Sequence, residues 1–481
     1  MQSKGLKLEN RKKSAFELTR RNLIGTTLAG GVMSGISACS QYEPPITPAP
    51  TSTFDAPPLA KSLLVNRERA SKFMHLNKLD AIVCRRPDNI YYLTNFYPQL
   101  AKMGMENIAF AILPLALDQP PILVVGQYEF YIAGAESIPP NAVDVKLFTM
   151  PAEFEAFTKA PSLAAQLDAP GFPSFLPKQH PFHPLSTEET HKTRETKGLS
   201  AEMGATAQTS FLKSLRDMPH PYKRVAIDDM ALRDVIQRAD IDVSFANAEQ
   251  ILRHVRLQKS ATEIELMRYA ANANAQAGLA AAKTARAGAS FQDIRREYNR
   301  QCVERFMTPD FMVVDGVIPE NATGEIKDGR SFLIDCVSHG QYYHGDYGRT
   351  VCVGEPTGEI KRATAAIAQV WDDLLPQLKP GMRYSEIGAI ATKIFKTTNS
   401  EAALICNPHS VGLHHTDEPS VEGSDFFVKD DLELLSGMII SVDLPVVDLG
   451  LGGSAHLEDL VLIGEDGASL LNDGGDRLII V

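Results

Sequence analysis

Closely spaced cysteine pairs are missing from this sequence of 481 residues. Its six cysteines are scattered, and none of them stands in a CxxC spacing: Cys39, Cys84, Cys302, Cys336, Cys352 and Cys406. A structural zinc site of the thiolate type needs such pairs, and a disulfide scaffold needs a denser set of cysteines in a shorter chain. The cysteine pattern therefore argues against both classes.

The sequence also lacks a long run of basic residues. It has 48 Lys and Arg against 59 Asp and Glu, which gives a formal net charge of −11. Proteins that bind nucleic acid usually present a basic face to the phosphates. Nucleic acid is therefore not an expected partner. The length of the chain is enough for two or three domains.

The N-terminal segment has the features of an export signal. Arg20 and Arg21 precede an apolar, glycine-rich stretch at 23–38 that is too short for a comfortable membrane span. Paired arginines favour the twin-arginine route, so we predict a signal over residues 1–39 and a periplasmic or cell-envelope location. The letters ISAC at 36–39 resemble a bacterial lipobox, in which Cys39 would carry a lipid anchor. An ordinary signal peptide with an incidental cysteine is the alternative.

Composition divides the rest of the chain into a tether and two folded parts. Residues 40–60 are rich in Pro and Thr, which is typical of an extended linker. Residues 61–255 alternate short apolar strands with helix-like segments, and within them about 150–215 are interpreted as a surface insertion or lid. Residues 256–481 open near Ser260 and Glu263, which form a capping box before a long helix. The predicted fold class is α/β, with α+β character.

The second folded part contains an internal repeat. The segment GASFQDI at 288–294 resembles GMRYSEI at 381–387, and GRSFLID at 329–335 resembles GMIISVD at 437–443. Two matches in the same order predict two similar halves that face each other across a shared site.

Five residues of this part form a set of candidate metal ligands. Asp335 and Asp443 each end an apolar strand, where an unpaired carboxylate is costly to bury. Asp346 follows in a segment interpreted as a polar turn, Glu458 enters another apolar run, and His409 adds an imidazole. Taken singly, each acid would more often be a turn or capping residue. Taken together, they suit two divalent cations, Mn(II), Zn(II), Co(II) or Fe(II), that share bridging oxygens.

The order and spacing of these residues resemble those of a known enzyme family. The letters LID at 333–335, DYGRT at 346–350, PHSVGL at 408–413 and ED at 458–459 match its ligand motifs. Its other segments are matched by LDA at 79–81, NIYYLT at 89–94 and RLQKS at 256–260. From these motifs the region 61–481 is similar to the creatinase, prolidase and Xaa-Pro aminopeptidase family, the "pita-bread" metalloenzymes of the peptidase family M24 type. The resemblance implies a creatinase-like N-terminal domain followed by a pita-bread catalytic domain with an internal pseudo-twofold repeat.

The resemblance also implies roles for the five ligands. Asp346 and Glu458 would bridge two cations, with Mn(II) the first choice, while Asp335 would bind one cation and His409 with Asp443 the other. A water molecule between the cations would be the nucleophile. Asp443 stands where the family usually has glutamate, the residue that binds metal and relays the proton of the attacking water.

Two departures from the family pattern leave the substrate class open. The second histidine of the peptidases is replaced by Thr416, although a one-residue bulge would bring His415 to its place. Residues 311–334 contain no histidine, where the peptidases carry one upstream of the first aspartate. By resemblance we assign His415 and Asp443 to catalysis, and His414 and Tyr343 to substrate binding.

Other residues beside the ligand motifs are expected to support them. Arg349 is expected to pair with a carboxylate and brace the site. His339, His344 and His456 are candidates for orienting the ligand carboxylates, with plain hydrogen bonding as the alternative.

Three functions follow as hypotheses. The first is a dinuclear metallopeptidase of the Xaa-Pro aminopeptidase or prolidase type, which cleaves the bond between an N-terminal residue and proline in a small peptide. The second is a non-peptidase enzyme on the same scaffold, like creatinase or the dimethylsulfoniopropionate-cleaving lyases, acting on another small molecule. The third is a non-catalytic binding protein. The expected partners are the substrate and a second copy of the chain in a homodimer, with membrane contact only through Cys39.

Overall fold

The computed structural model describes residues 54–105, 108–134, 137–218, 222–316, 324–398, 403–424, 426–446, 450, 452–472 and 474–481. The predicted signal and most of the predicted linker lie outside these residues, so export and the lipid anchor stay predictions. Within the described ranges, no helix is both long and apolar enough to cross a membrane.

Helices and strands alternate along the described chain. The helices are α1 Arg67–Leu76, α2 Pro87–Thr94, α3 Gln127–Glu129, α4 Phe154–Thr158, α5 Thr187–Leu199, α6 Ala207–Arg216, α7 Ala231–Arg238, α8 Ala248–Arg256, α9 Ala261–Ala282, α10 Phe291–Glu304, α11 Gly358–Leu374 and α12 Tyr384–Thr397. The strands are β1 Ala81–Cys84, β2 Phe110–Pro114, β3 Ile122–Gly126, β4 Asp144–Phe148, β5 Arg224–Ile227, β6 Ser244–Asn247, β7 Thr308–Val314, β8 Ser331–Gly340, β9 Tyr343–Cys352, β10 Asn407–Ser410, β11 Ile439–Asp443, β12 Leu457–Glu458, β13 Leu460–Ile463, β14 Ala468–Leu470 and β15 Leu478–Ile480.

The first six strands form one mixed sheet in the order β4-β3-β2-β1-β5-β6. The central strand β1 pairs antiparallel with β2 and parallel with β5. Its side chains alternate between two cores, with Ile82 and Cys84 in one and Ala81 and Val83 in the other. Helices α2 and α8 contribute to the first core, and α6 and α7 to the second. A strand covered on both faces explains why its sequence is apolar throughout.

The segment predicted as a surface insertion is largely exposed but ends before residue 207. Helix α5 buries only one of its residues, Thr196. Helix α6, in contrast, packs Phe211, Leu212 and Leu215 into the core of the six-stranded sheet. These residues recur at helical spacing on one face. The Pro- and Lys-rich composition of the surrounding residues concealed this short periodic run.

The second half begins with α9, at the capping box that the sequence predicts. The Ser260 side chain accepts a hydrogen bond from the Glu263 N–H, and the Glu263 carboxylate accepts one from the Ser260 N–H. The helix packs along β8 and β9. Gly278 allows the close approach, because a Cβ there would lie 3.0 Å from the Cys336 Sγ. The long helix therefore supports the two strands that carry Asp335 and Asp346.

The later strands form two further sheets. One has the order β12-β9-β8-β7, with β15 paired to β9, and the other has the order β10-β11-β13-β14. The internal repeat reappears in their backbone pairing: the Gly288 N–H donates to the Ile326 carbonyl and the Gly381 N–H to the Leu434 carbonyl. Both glycines have left-handed φ, +81° and +89°. Asp335 follows Ile326 at the same distance along the chain as Asp443 follows Leu434. The repeat therefore gives the two aspartates matching positions in the two halves.

Asp346 lies in the middle of β9, so the prediction of a polar turn at this position is wrong. Gly345 and Gly348 suggested a turn, but here they permit close approach. A Cβ at Gly345 would lie 2.6 Å from the Ala270 carbonyl oxygen, and a Cβ at Gly348 would lie 2.1 Å from the His456 ring. The glycines therefore let α9 and β12 pack tightly against β9 on either side of Asp346.

Candidate metal centre

Two neighbouring strands bring Asp335 and Asp346 to one face of a sheet. Asp335 on β8 is paired with Gly348, and Asp346 on β9 is paired with Val337. Residues two apart on a strand share a face, so both carboxylates point to the same side. Glu458 joins them because β12 pairs with β9 at Gly348.

The other sheet supplies the remaining two ligands. His409 on β10 is paired with Ser441 on β11, and Asp443 follows two residues later on the same face. The His409 Nε2 lies 3.5 Å from the Asp346 Oδ2 and 3.8 Å from the Asp443 Oδ2. The five predicted ligands are thus brought together by strands from two sheets.

Besides a group of Asp346, His409 and His415, two overlapping groups of donor atoms share this site. Asp346, His409, Asp443 and Glu458 each offer a ligand atom within 4.8 Å of the others. Asp335 and Glu458 form a second such group with His456. Glu458 is common to both groups, as expected for a carboxylate that bridges two ions.

The donor atoms fit a pair of divalent cations. Among the described residues, the Asp335 Oδ1, both carboxylate oxygens of Asp346 and both ring nitrogens of His409 are buried without a hydrogen-bond partner. Buried polar atoms are nearly always satisfied, and such orphaned atoms need an explanation. Carboxylate oxygens with one imidazole are a donor set that Mn(II), Fe(II), Co(II) and Zn(II) accept. The chemistry of the cluster therefore agrees with the metal site that the sequence predicts.

The carboxylates are held close enough to oppose one another's ionisation. Burial raises the pKa of Asp335 well above its usual range, and the charges of Asp346 and Asp443 raise it further. Burial and the same kind of repulsion also raise the pKa of Glu458. Burial is the largest influence on the pKa of Asp346 and acts to raise it, but His415, His409 and Glu458 together outweigh burial and lower that pKa to about 2. Cations that take the place of protons would relieve this repulsion.

His415 lies beside the carboxylate cluster, next to Asp346. Its Nε2 is 3.2 Å from the Asp346 Oδ2, and its ring is 4.7 Å from that of His409. Burial would lower the pKa of His415, but Asp346 and the other carboxylates raise it to about 9. The Phe311 ring packs edge-on against it at 5.4 Å. A hydrogen-bond donor beside the predicted ligands is suited to hold a substrate oxygen. The catalytic role of His415 stays a prediction.

His414 and Tyr343 are directed away from the ligand cluster. The His414 Nε2 lies 2.9 Å from the Asp88 Oδ2. The Tyr343 side chain is fully buried, and its hydroxyl donates to the Glu263 Oε1 at 3.1 Å. The assignment of Tyr343 to substrate binding is therefore wrong, because a side chain enclosed in the core cannot reach a substrate.

Residues around the ligands fix their orientation. Arg349 donates to both carboxylate oxygens of Asp459 at 2.8 and 2.9 Å and to the Glu458 carbonyl at 2.7 Å, which confirms its bracing role. The His456 Nε2 lies 3.1 Å from the Glu458 Oε2, and the Ser441 hydroxyl donates to the Glu458 Oε1. Outer partners of this kind hold ligands in place and tune the bound metal.

Sequence reasoning missed Ser441 and Asp88. Ser441 could have been found, because it stands two residues before Asp443 on the same strand and must share its face. Asp88 gave no such local pattern, since it lies 326 residues from its partner His414.

The sequence comparisons agree with this geometry. Residues 265–465 match metallopeptidase family M24. A probable dipeptidase PepE of Mycobacterium tuberculosis is 24% identical over 271 residues, which cover 54% of this chain and 71% of that protein. An Xaa-Pro dipeptidase of Pyrococcus furiosus is 25% identical over 241 residues, covering 47% of this chain and 66% of that protein.

The fold is also similar to that of solved structures. An Xaa-Pro dipeptidase from Bacillus anthracis aligns with a TM-score of 0.60 at 16% sequence identity, covering 86% of this chain and 99% of that one. At this identity the likeness shows the fold alone. It confirms the predicted mixed α/β architecture of the pita-bread type.

Proposed function

We propose that this chain, which carries a domain of metallopeptidase family M24 over residues 265–465, is a dinuclear metal-dependent hydrolase that cleaves the bond between an N-terminal residue and proline in small peptides. The observation that carries the proposal is the convergence of Asp335, Asp346, His409, Asp443 and Glu458, with buried donor atoms that lack hydrogen bonds. The names of the relatives, a dipeptidase and an Xaa-Pro dipeptidase, support the peptide substrate.

The five predicted ligands would have different roles in hydrolysis. By the family pattern the buried Asp346 and Glu458 would hold both ions, Asp335 would hold one, and His409 with Asp443 would hold the other. Bound divalent cations, with Mn(II) as the first choice, supply a Lewis acid that lowers the pKa of water. Asp443 is 21% exposed, unlike the enclosed Asp346 and Glu458. It is therefore our choice to accept the proton of the attacking water.

His415 completes the proposed arrangement. Its Nε2 lies 3.2 Å from the Asp346 Oδ2, so the ring stands beside the predicted ligands. An imidazole N–H at this place would stabilise negative charge that develops on the carbonyl oxygen of the scissile bond. It would take over the part that Thr416 cannot perform.

The test measures metal content and amino-acid release together. The purified protein is reloaded with Mn(II), Co(II), Zn(II) or Fe(II) and given Xaa-Pro dipeptides and Xaa-Pro-Yaa tripeptides. We expect the centre formed by the five predicted ligands to hold about two equivalents of metal, and we expect release of the N-terminal residue. His409→Ala should lose this metal and the release together. His75→Ala, which removes an exposed histidine of α1, is the matched control and should retain both.

Two other results would each reject the proposal in favour of a different function. Two equivalents of metal without peptide cleavage by any of the four metals would favour a non-peptidase enzyme on this scaffold. The absence of an upstream histidine motivates that alternative. Failure to bind metal after reloading would favour a non-catalytic binding protein.

We further propose that residues 1–39 direct export and that Cys39 carries a lipid anchor. The paired arginines and the lipobox-like ISAC letters support this proposal. Replacing Arg20 and Arg21 together by lysine should retain the protein in the cytoplasm, and Cys39→Ala should release exported protein from the membrane fraction. Unchanged fractionation of both variants would contradict the proposal.

A further inference from the structure

A second histidine and carboxylate cluster lies on the sheet of β7, β8 and β9, apart from the five ligands. It consists of Asp310 on β7, His339 on β8 and His344 on β9, whose ligand atoms all lie within 4.8 Å of one another. The His339 Nδ1 is 2.9 Å from the Asp310 Oδ2, and the His344 Nε2 is 3.5 Å from the same oxygen. One carboxylate oxygen therefore faces two imidazole nitrogens.

The sheet register explains how the three side chains meet. His339 and His344 are directly paired across β8 and β9, so their rings stand side by side with centroids 5.3 Å apart. On β7 the register shifts between Pro309 and Phe311, the position of a β-bulge. A bulge redirects a side chain from the regular alternation, and here the displaced residue is Asp310.

The orientation of His344 leaves a ligand atom directed at the carboxylate. Its Nδ1 lies 3.2 Å from the Gly412 carbonyl oxygen, which can only accept a hydrogen bond. In the neutral ring Nδ1 is then the donor, and the lone pair on Nε2 points at the Asp310 Oδ2. Two acceptors that face each other repel unless a proton or a metal ion lies between them. A carbonyl that fixes the second ring nitrogen is the usual outer partner of a metal-binding histidine.

The distances and the exposure are those of an accessible metal site. Ligands at about 2.0–2.2 Å from a tetrahedral ion stand roughly 3.3–3.6 Å apart. The 3.5 Å contact of His344 falls in this range, and the 2.9 Å contact of His339, a hydrogen bond here, would lengthen slightly around an ion. The side chains of Asp310, His339 and His344 are 28%, 23% and 15% exposed, so an ion can enter from solvent. With three protein ligands, the ion keeps at least one position for water or a substrate oxygen.

This cluster shares no ligand with the dinuclear centre. The His339–His344 pair lies two residues along the strands from the pair of Val337 with Asp346. At 3.4 Å per residue this is a separation of roughly 7 Å. Among the described residues, no group of ligand atoms within 4.8 Å combines the two clusters, so this cluster would hold an ion of its own.

We propose that Asp310, His339 and His344 form a third divalent-cation site, mononuclear and independent of the dinuclear centre. Two imidazoles and one carboxylate select a borderline cation such as Zn(II), Co(II) or Fe(II) over Ca(II) or Mg(II). The proposal does not depend on the proposed peptidase activity, because it concerns binding of the cation alone.

The test counts Zn(II) bound to the full-length apoprotein by equilibrium dialysis and elemental analysis. We expect about three equivalents for the wild type and for His75→Ala, but about two for His339→Ala and for Asp310→Asn. Asp310→Asn keeps the shape of the side chain and removes its charge. Equal melting temperatures of the apoproteins would show that the loss is local.

The same measurement in the His409→Ala variant counts metal at this site separately from metal at the dinuclear centre. In His409→Ala, adding His339→Ala should remove one further equivalent of Zn(II), whether or not the protein cleaves peptides. Two equivalents in the wild type together with no loss in His339→Ala or Asp310→Asn would overturn the proposal, since Asp310 and His339 would then be an ordinary ion pair.

Discussion

At the residue scale, the site depends on carboxylates that are expensive to bury. Asp346 and Glu458 are enclosed by protein and Asp335 is partly buried. Three oxygens of Asp335 and Asp346 lack hydrogen bonds within the described part of the chain. Desolvation without compensation costs several kcal/mol per charge in real proteins, about the scale of a domain's whole stability. A fold that retains such a cluster needs cations, and the sequence signals this need by placing aspartates at the ends of apolar strands.

His415 gives the first prediction at this scale. The His415 Nε2 lies 3.2 Å from the Asp346 Oδ2, but His415 is not one of the five predicted ligands. His415→Ala should therefore retain the two equivalents of the dinuclear centre while kcat falls about 100-fold. Steady-state kinetics on an Xaa-Pro dipeptide, with metal analysis of the same sample, measures both quantities.

A neighbouring substitution serves as the comparison for His415. Thr416→Val removes only the hydroxyl that lies 3.2 Å from the His415 Nδ1, and it should lower kcat by less than about 10-fold. If Thr416→Val were as damaging as His415→Ala, or if His415→Ala lost metal, His415 would be a structural or ligand residue instead.

At the element scale, β9 shows that glycine serves in a closely packed strand as well as in a turn. Gly345 and Gly348 in a polar sequence resemble turn residues, yet β9 is a ten-residue strand at the centre of the site. Glycine is needed there because helix α9 and the His456 ring approach the backbone too closely for a side chain. Local sequence could not distinguish this use from a turn.

Gly348→Ala is therefore expected to be damaging. The added Cβ would meet the His456 ring at 2.1 Å and the Glu458 Cβ at 2.9 Å, so β12 must move away from β9. We expect a loss of about 1–3 kcal/mol in the free energy of unfolding and a fall in bound metal. Urea unfolding and elemental analysis check the two effects.

Gly388→Ala is the matched control for this prediction. Gly388 lies within α12, and a Cβ there would meet no atom within 4 Å. Alanine is the better helix former, so the variant should gain about 0.5–1 kcal/mol and keep its metal. A Gly348→Ala protein as stable and as fully loaded as Gly388→Ala would contradict the tight packing of β12 on β9.

At the scale of the whole molecule, buried ion pairs join the first sheet to the metal-binding half. Arg256, at the end of α8, donates to both oxygens of Asp417 at 3.0 and 3.1 Å and to the Asn89 Oδ1 at 2.9 Å. Asp417 in turn accepts from the Leu413 N–H at 3.2 Å, in the loop after His409. The loop that follows a metal ligand is therefore anchored to helices of the N-terminal part.

This anchor predicts a pH dependence of stability. Burial is the largest influence on the pKa of Asp417 and acts to raise it, but the positive charges of Arg256 and its neighbours together outweigh burial and lower the pKa from 3.8 to about 2. A lowered folded-state pKa gives stability that is present above about pH 4 and is lost as the pH falls toward 2. This shift of the pKa corresponds to roughly 2–3 kcal/mol of stability.

Asp417→Asn should expose this contribution in urea unfolding from pH 7 to pH 2. At neutral pH the variant should be about 3–5 kcal/mol less stable, because Arg256 stays buried without its carboxylate. The gap from the wild type should narrow between about pH 4 and 2. Asp118→Asn, at an exposed carboxylate, should follow the wild type, and a constant gap for Asp417→Asn would refute the assignment.

The sequence by itself determined which residues form the candidate metal centre and in what order they stand. Acids at strand ends, a histidine between them, the capping box at Ser260 and the repeated glycine-to-aspartate segments are local patterns, and each follows from the neighbours of a residue along the chain. The spacing of apolar residues and the cost of burying a charged residue can both be read from the order of residues along the chain. Five ligand positions and the α/β class could therefore be predicted without coordinates.

Only the tertiary structure decided which partners those residues have. Tyr343 is turned to Glu263, His414 to Asp88, and His339 with His344 to Asp310, across separations of 29 to 326 residues. Whether a polar side chain faces a ligand, a substrate or a buried carboxylate depends on how sheets and helices pack, and chain order carries no local mark of that packing. The sequence identified the candidate side chains. The packing of distant strands and helices decided the distances between them, their burial and the charges around them.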